Sequence, residues 1–334
     1  MKSINHGDLA SFGRNLRLTT QVRREMENLT YEVASGMKSD LAKAVSGDFT
    51  PLASIERSLR TLGAYQTSIK EAGLFVTGMQ QSFEVMALHT SEMGSKLLTA
   101  ATIGDATTIS VTAKDARVRM DAVVSALNTR MGGRSLFGGT ATGQTPLISA
   151  QEMLDDIRIA MGTPATADDV VTALDTWFDD PGGAFETTAY LGETDFLSPF
   201  GLSEQESTRL EITASDPSVR TMLKGFAMAA LIEEGALTDV TEQAALMRKS
   251  GEMIMGAESG LADMRAQVGT VEAQIEEARV SNATRMFAYE SAKAEIVSAD
   301  IYESASRLSQ TESQLEMVYT LTARLSRLKL TDFL

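Results

Sequence analysis

Chemistry in a protein is carried by a few residue types, and this sequence is poor in them. It has no cysteine and only two histidines, His6 and His89. The missing thiols exclude disulfides, Cys-ligated zinc, iron–sulfur clusters and Cys nucleophiles. Neither His has a second His near it, and both read as helix or terminus positions with no partner for catalysis. Residues 133–140, GRSLFGGT, carry the spacing of a phosphate-binding loop, G-x-x-x-x-G-K-[ST]. Gly139 stands where the Lys must be, and no strand pattern precedes the loop. The glycines therefore read as a turn beside the apolar Leu136 and Phe137. Carboxylates are adjacent at Asp155/Asp156, Asp168/Asp169, Asp179/Asp180, Glu233/Glu234 and Glu276/Glu277. Calcium binding or acid–base work needs several oxygens converging from a Gly-bearing loop, and none of these pairs has that spacing. They read as helix caps and solvated faces. No catalytic, cofactor-binding or metal site is expected.

What the sequence does carry is helical patterning, strongest at its two ends. In residues 300–334, Ile301, Leu308 and Leu315 fall seven apart, as do Val318 and Leu325, and Leu328 continues the stripe. Neither Gly nor Pro interrupts it, so the spacing predicts one long amphipathic helix with a heptad seam. At the other end, Leu9, Phe12, Leu16, Val22, Met26, Leu29 and Val33 follow three- and four-residue spacings, with Asp8 or Ser11 as a cap. The economical arrangement pairs the two ends antiparallel, with the rest of the chain inserted between them. Leu9, Phe12, Leu16, Met26, Leu29, Ile301, Leu308, Leu315, Val318, Leu325, Leu328, Leu330, Phe333 and Leu334 form the expected assembly seam.

Between the ends, residues 35–52 read as an ordered linker. Residues 51–101 follow as a long heptad helix containing Gly63, Gly73, Gly78 and Gly94, which weaken it locally and permit close helix approach. A turn over 102–112 and a helix over 113–131 are expected next. Then come a Gly/Thr-rich turn at 132–148 and short helices near 150–161 and 167–179. Residues 184–191 and 208–214 have β-type composition. Helical patterning resumes at 217–234 and again from about Thr238, with a break near 298–300. The expected fold is mainly α: a long antiparallel helical bundle or coiled-coil rod built from both chain ends, with a small α+β insertion. The expected domains are 1–50 with 299–334 (terminal pair and linker), 51–148 with 216–298 (long-helix rod) and 149–215 (outer insertion).

Composition agrees with long helix seams. Met is high at 18 and aromatics are 6%. Net charge is −15, which argues against a general nucleic-acid or anionic-membrane partner. The two ends are near neutral and about −17 falls in the middle, which suits ends that pack and a middle that faces water. No apolar run reaches the length of a membrane span, and the first residues lack the apolar core of a cleavable signal.

Three stretches carry a family resemblance. Residues 29–36, LTYEVASG, resemble the "L-x-x-x-x-x-S/T-G" end of the first helix in the flagellin superfamily. Residues 131–140, MGGRSLFGGT, are similar to that superfamily's turn before its variable insertion. Residues 311–315 and then 324–334, RLSRLKLTDFL, resemble the hook-associated ending "S-x-L-S-L-x-D-Y/F-L". Residues 37–50 depart from the usual Lys/Arg-rich text. The sequence is thus identified as a member of the flagellin superfamily, most similar to the flagellar hook-associated protein 3 family, the hook–filament junction proteins. The resemblance implies a structural, non-enzymatic subunit of the bacterial flagellum that lies outside the cell and is exported without signal cleavage. It implies as partners further copies of the chain, the adjoining hook-associated protein, flagellin on the filament side and an export chaperone. A filament flagellin is the nearest alternative; the tail and the lack of a large Thr/Asn/Gly-rich outer domain favour the junction role. An intracellular coiled-coil adaptor is the alternative from another class, and location in the cell separates the two.

Overall fold

The computed structural model describes the backbone of residues 6–331 and the side chains of residues 13–324. Its elements in order are α1 (His6–Ser35), α2 (Leu41–Ala44), α3 (Thr50–Ile103), α4 (Ala106–Leu127), β1 (Arg130–Met131), β2 (Arg134–Ser135), α5 (Ala150–Met161) and α6 (Ala167–Asp179). A single π-helical turn (Phe185–Ala189), β3 (Phe200–Gly201), β4 (Ser207–Thr208), α7 (Pro217–Glu233), α8 (Val240–Val297) and α9 (Ile301–Thr331) follow. The fold is mainly α, with two small antiparallel hairpins, β1 with β2 and β3 with β4. The chain divides into two compact units, residues 1–62 with 284–334 and residues 63–283.

The 63–283 unit holds the larger core. From α3 it takes Met79, Phe83, Met86 and Met93, and from α4 Met120, Val123 and Leu127. Helix α7 is buried on every side, from Met222 through Ile232. Glycine lets α3 and α8 approach: a Cβ on Gly251 would lie 3.1 Å from the Gly94 carbonyl oxygen. Helix α7 meets α8 in the same way, since a Cβ on Gly225 would lie 2.7 Å from Ile254 Cγ1. There Ser250 donates to the Gly225 carbonyl at 2.7 Å. Helices α5 and α6 each begin with a capping box, Ser149 with Glu152 and Thr166 with Asp169. Helix α6 is fastened to α7 by the buried Lys224 ammonium, which donates to Asp175 at 2.7 Å and also to Asp179. Trp177, Phe178 and Phe185 close the apolar layer beneath, with Trp177 and Phe178 edge to face at 4.6 Å.

Three expectations are corrected. The turn at 102–112 shrinks to Gly104 and Asp105, and the third helix begins at Ala106 rather than Ala113. Asp105 accepts from the backbone of Thr107 and Thr108, and Ile109 and Ala113 are buried, so cap and packing outweigh the β-branched composition. Within 184–191, Phe185–Ala189 form the π-helical turn instead of a strand, because that turn delivers Phe185 into the aromatic layer, while Tyr190 makes an isolated β-bridge with Leu147. Of residues 208–214 only Thr208 joins a strand; Leu210, Ile212 and Ala214 are buried in extended chain, and the Ala214 amide donates to the Phe137 carbonyl at 2.9 Å.

In the other unit, α1 and α9 lie antiparallel. Residues 50–62 of α3 and 284–297 of α8 contribute buried Leu52, Leu62 and Val297, with an ion pair of Lys293 and Glu56 at 3.0 Å. Gly36 ends α1 in the left-handed region (φ +68°). The chain beyond it forms a short bridge to the α8–α9 connection. Met37 pairs with Ser298, the Lys38 amide donates to Val297 and the Ala299 amide donates to Gly36. The Lys38 ammonium adds a bond to the Ile296 carbonyl at 2.8 Å.

Candidate assembly surface

Several of the residues singled out for chemistry hold structural positions. In the glycine loop, Gly139 (φ +60°) lies against the carbonyls of Glu193 and Asp195. The Thr140 amide donates to Asp195 and the Glu193 amide donates to Gly138, so the loop's amide at Thr140 is spent on protein rather than left for a phosphate. Leu136 and Phe137 are buried, Phe137 edge-on to Phe83 at 5.6 Å. Asp169 belongs to a capping box, Asp179 faces Lys224, Glu234 lies 3.4 Å from Arg117, and Glu276 pairs with Arg279 at 2.7 Å. His89 is half-buried on α3; burial first, then the nearby Arg119 guanidinium, hold its imidazole below the ordinary value. His6 is the first residue of α1. Among the described residues no group of three or more His, Asp or Glu converges on a metal position, and no helix is long and apolar enough to cross a membrane.

The terminal helix pair has a different character. Its buried line is thin: Val22 and Leu29 on α1, Ser304 and Thr311 on α9, with Met26, Leu308, Leu315 and Val318 half-covered. Leu16 (59%) and Ile301 (55%) of the expected seam are exposed in the lone chain. Leu9, Phe12, Leu325, Leu328 and Leu330 lie on described helical backbone, but their side chains fall outside the described residues, as do Phe333 and Leu334 altogether. Heptad spacing located the helix without locating its centre line, which runs through the small Ser304 and Thr311. Small residues there let α1 come close, and Ser304 also supplies a hydrogen bond that a Leu would not.

That bond belongs to a node no spacing rule signals. Glu32, half-buried on α1, accepts from the Ser39 amide at 3.0 Å, the Ser39 hydroxyl at 2.8 Å and the Ser304 hydroxyl at 2.9 Å. One carboxylate thus ties α1, the linker and α9. Burial alone would raise its pKa; the Ser39 and Ser304 bonds and the Arg307 charge outweigh that and hold it below the ordinary glutamate value of 4.5. A depressed carboxylate contributes stability that is present above its unfolded pKa and lost as pH falls through the folded one. Glu32→Gln should therefore loosen residues 32–40 and 297–304 at neutral pH by about 1 kcal/mol, a roughly five-fold faster amide exchange. The difference should shrink only as pH falls below the ordinary glutamate range and through the depressed pKa of folded Glu32, where the wild-type carboxyl is itself protonated. Equal exchange in the two proteins at pH 7 would remove the node's role.

Other contacts of the pair are polar and peripheral. Arg23 donates to the Tyr319 hydroxyl at 3.0 Å, and Arg307 pairs with Glu25 at 2.8 Å. The apolar side chains left uncovered are large: Leu18, Tyr31, Met37, Phe49, Phe287, Tyr302 (86% exposed), Met317 and Leu321. More than half of the exposed large apolar residues among the described ones fall in this smaller unit, so the surface seeking a partner is concentrated there.

Residues 252–334 match the family model of the bacterial flagellin C-terminal helical region. Among solved structures, the chain is similar to one described as a flagellar hook-associated protein of Vibrio parahaemolyticus, 14% identical, covering 73% of this chain and 95% of that one with a TM-score of 0.52. It is similar to FlgL of Bacillus cereus to the same degree, 14% identical, covering 72% of this chain and 100% of that one, TM-score 0.52. A search of curated protein sequences finds no match. The chain therefore shares its fold with these two structures, and residues 252–334 are similar in sequence to the flagellin C-terminal helical region.

Proposed function

We propose that this protein is a structural subunit of the bacterial flagellum that joins the hook to the flagellin filament. The observation that carries the reading is a coincidence of place. The flagellin C-terminal match, residues 252–334, runs from α8 through the whole of α9, the helix whose apolar side chains a lone chain leaves uncovered. The terminal pair is then the axial, tube-forming element, and the seam residues from Leu9 to Leu29 and from Ile301 to Leu334 are covered by neighbouring subunits. Further copies of the chain supply the ring, an adjoining hook-associated protein lies on one side and flagellin on the other. The subunit leaves the cell through the flagellar export apparatus, kept from premature association by a chaperone, without a cleaved signal. The likeness to hook-associated folds, together with the RLSRLKLTDFL ending, favours the junction over a filament flagellin.

Deleting the gene tests the reading. Basal bodies and hooks should remain while filament protein is shed into the medium, and the restored gene should return attached filaments. Intact filaments and normal swimming in the deletion strain would refute it, and purified subunits that polymerise alone into long filaments would move the protein to the flagellins.

A further inference from the structure

The α1–α9 pair has two flanks, one richer in exposed arginines and the other in exposed glutamates. At about 100° per residue, Arg14, Arg17 and Arg24 fall together to one side of the Val22 and Leu29 line, and all three are exposed. On α9 the exposed Arg324 lies on the same side. The Arg307–Glu25 pair marks this flank, and Arg24, Glu25 and Arg307 line one cleft there. Arg24 and Arg17 continue it along α1 in an adjoining depression. On the opposite flank, marked by the Arg23–Tyr319 contact, lie the exposed Glu27, Glu312 and Glu316. None of these four arginines and three glutamates pairs with an opposite charge among the described residues.

We propose that the arginine flank of one copy receives the glutamate flank of the next. The inference rests on the reading of the terminal pair as the assembly element and supplies its lateral contact. Opposite charges on opposite faces define a heterologous contact, which repeats around a ring or along a helix rather than closing as a two-fold dimer. The chain itself is the occupant that fits. A polyanion would meet Glu25, Glu32 and Glu303 on the arginine side and a chain of net charge −15, whereas a second copy presents Glu312 and Glu316 one turn apart on α9 with Glu27 beside them on α1. Arg23 on the acidic flank is engaged by Tyr319 and leaves that flank net negative. Single exposed pairs contribute little. A row of them sets register and rejects like-charged faces while the apolar side chains supply the affinity.

The absence of cysteine makes a direct test clean. Arg24→Cys and Glu312→Cys are each introduced into the full-length chain, and flagella from a gene-deleted strain carrying either or both are treated with a short bismaleimide. A covalent heterodimer is expected only when the two variants are co-expressed; its absence overturns the proposal. Charge reversal is the second arm. Arg17→Glu with Arg24→Glu, and separately Glu312→Arg with Glu316→Arg, should each cut the fraction of cells retaining filaments at least ten-fold. All four changes in one chain should restore it. Wild-type retention in either double variant, or a folded and exported quadruple variant that stays defective, overturns the contact. Should the wild-type gene itself prove dispensable for filament attachment, the junction reading fails instead. The cross-link is then read on purified full-length chain at low salt, where a heterodimer upholds the flank contact and none overturns it. The reagent's yield should drop toward 1 M salt, where the screening length is about 3 Å.

Discussion

A chain ending at residue 300 will keep the melting transition of the 63–283 unit and lose all ability to hold filaments to hooks. That unit has its own core, from Ile69 on α3 to Ala278 on α8, so removing α9 takes nothing from it. The terminal pair has no comparable reserve. Its buried line of Val22, Leu29, Ser304 and Thr311 is short, and two of the four are polar. Burying a Leu side chain fully stabilises by about 1.5–3 kcal/mol. Leu308, Leu315 and Val318 collect only part of that in the lone chain, against roughly 1–2 kcal/mol per residue for ordering backbone. Weak protection against amide exchange is therefore expected over 301–324 in the free subunit, and strong protection over 69–101. On the proposed assembly, neighbouring subunits cover the same side chains and the balance reverses. Calorimetry on the truncated chain and complementation of the deletion strain check the two halves. A fall of more than a few degrees in the 63–283 transition, or motility restored by the truncated gene, would show that α9 has been misread.

The parts of this structure that the sequence announced are those where one periodicity acts over many residues. Helix α3 was expected over 51–101 and runs Thr50–Ile103, and the short helices α5 and α6 fall where they were expected, near 150–161 and 167–179. What stayed illegible depends on contacts far apart in the chain. The π-helical turn exists because Phe185 must reach Trp177 and Phe178, and no local propensity reports that. Helix α4 begins seven residues early because Asp105 caps it and Ile109 finds a buried place. The Glu32 node draws on residues 272 apart in sequence, so a search for adjacent carboxylates passes over it. The two charged flanks were hidden for a related reason. Near-neutral totals at the chain ends conceal a separation that only the paired helices make visible.

Replacing Gly139 by Ala should be among the most damaging single-atom additions in the 63–283 unit. Two costs coincide there. A left-handed backbone (φ +60°) costs a residue with a Cβ about 1–2 kcal/mol. The added carbon would also overlap the carbonyl oxygens of Glu193 and Asp195, which are backbone and cannot swing aside as a side chain can. Relief requires the two segments to part. That breaks the Thr140 amide bond to Asp195 and the Glu193 amide bond to Gly138, each worth about 1 kcal/mol. The sum is about 3–4 kcal/mol, or roughly 6–16 °C in the transition of a unit this size. Neighbouring glycines separate the causes. Gly132 has the same backbone sign (φ +58°) with open space around it, so Gly132→Ala should show the conformational cost alone. Gly143 has neither constraint, and Gly143→Ala should stay within about 0.5 kcal/mol of wild type. Thermal unfolding of the three variants decides between them. Equal losses at Gly132 and Gly139 would mean that the 193–195 segment yields freely, and that the loop carrying the phosphate-loop spacing is not pinned by it.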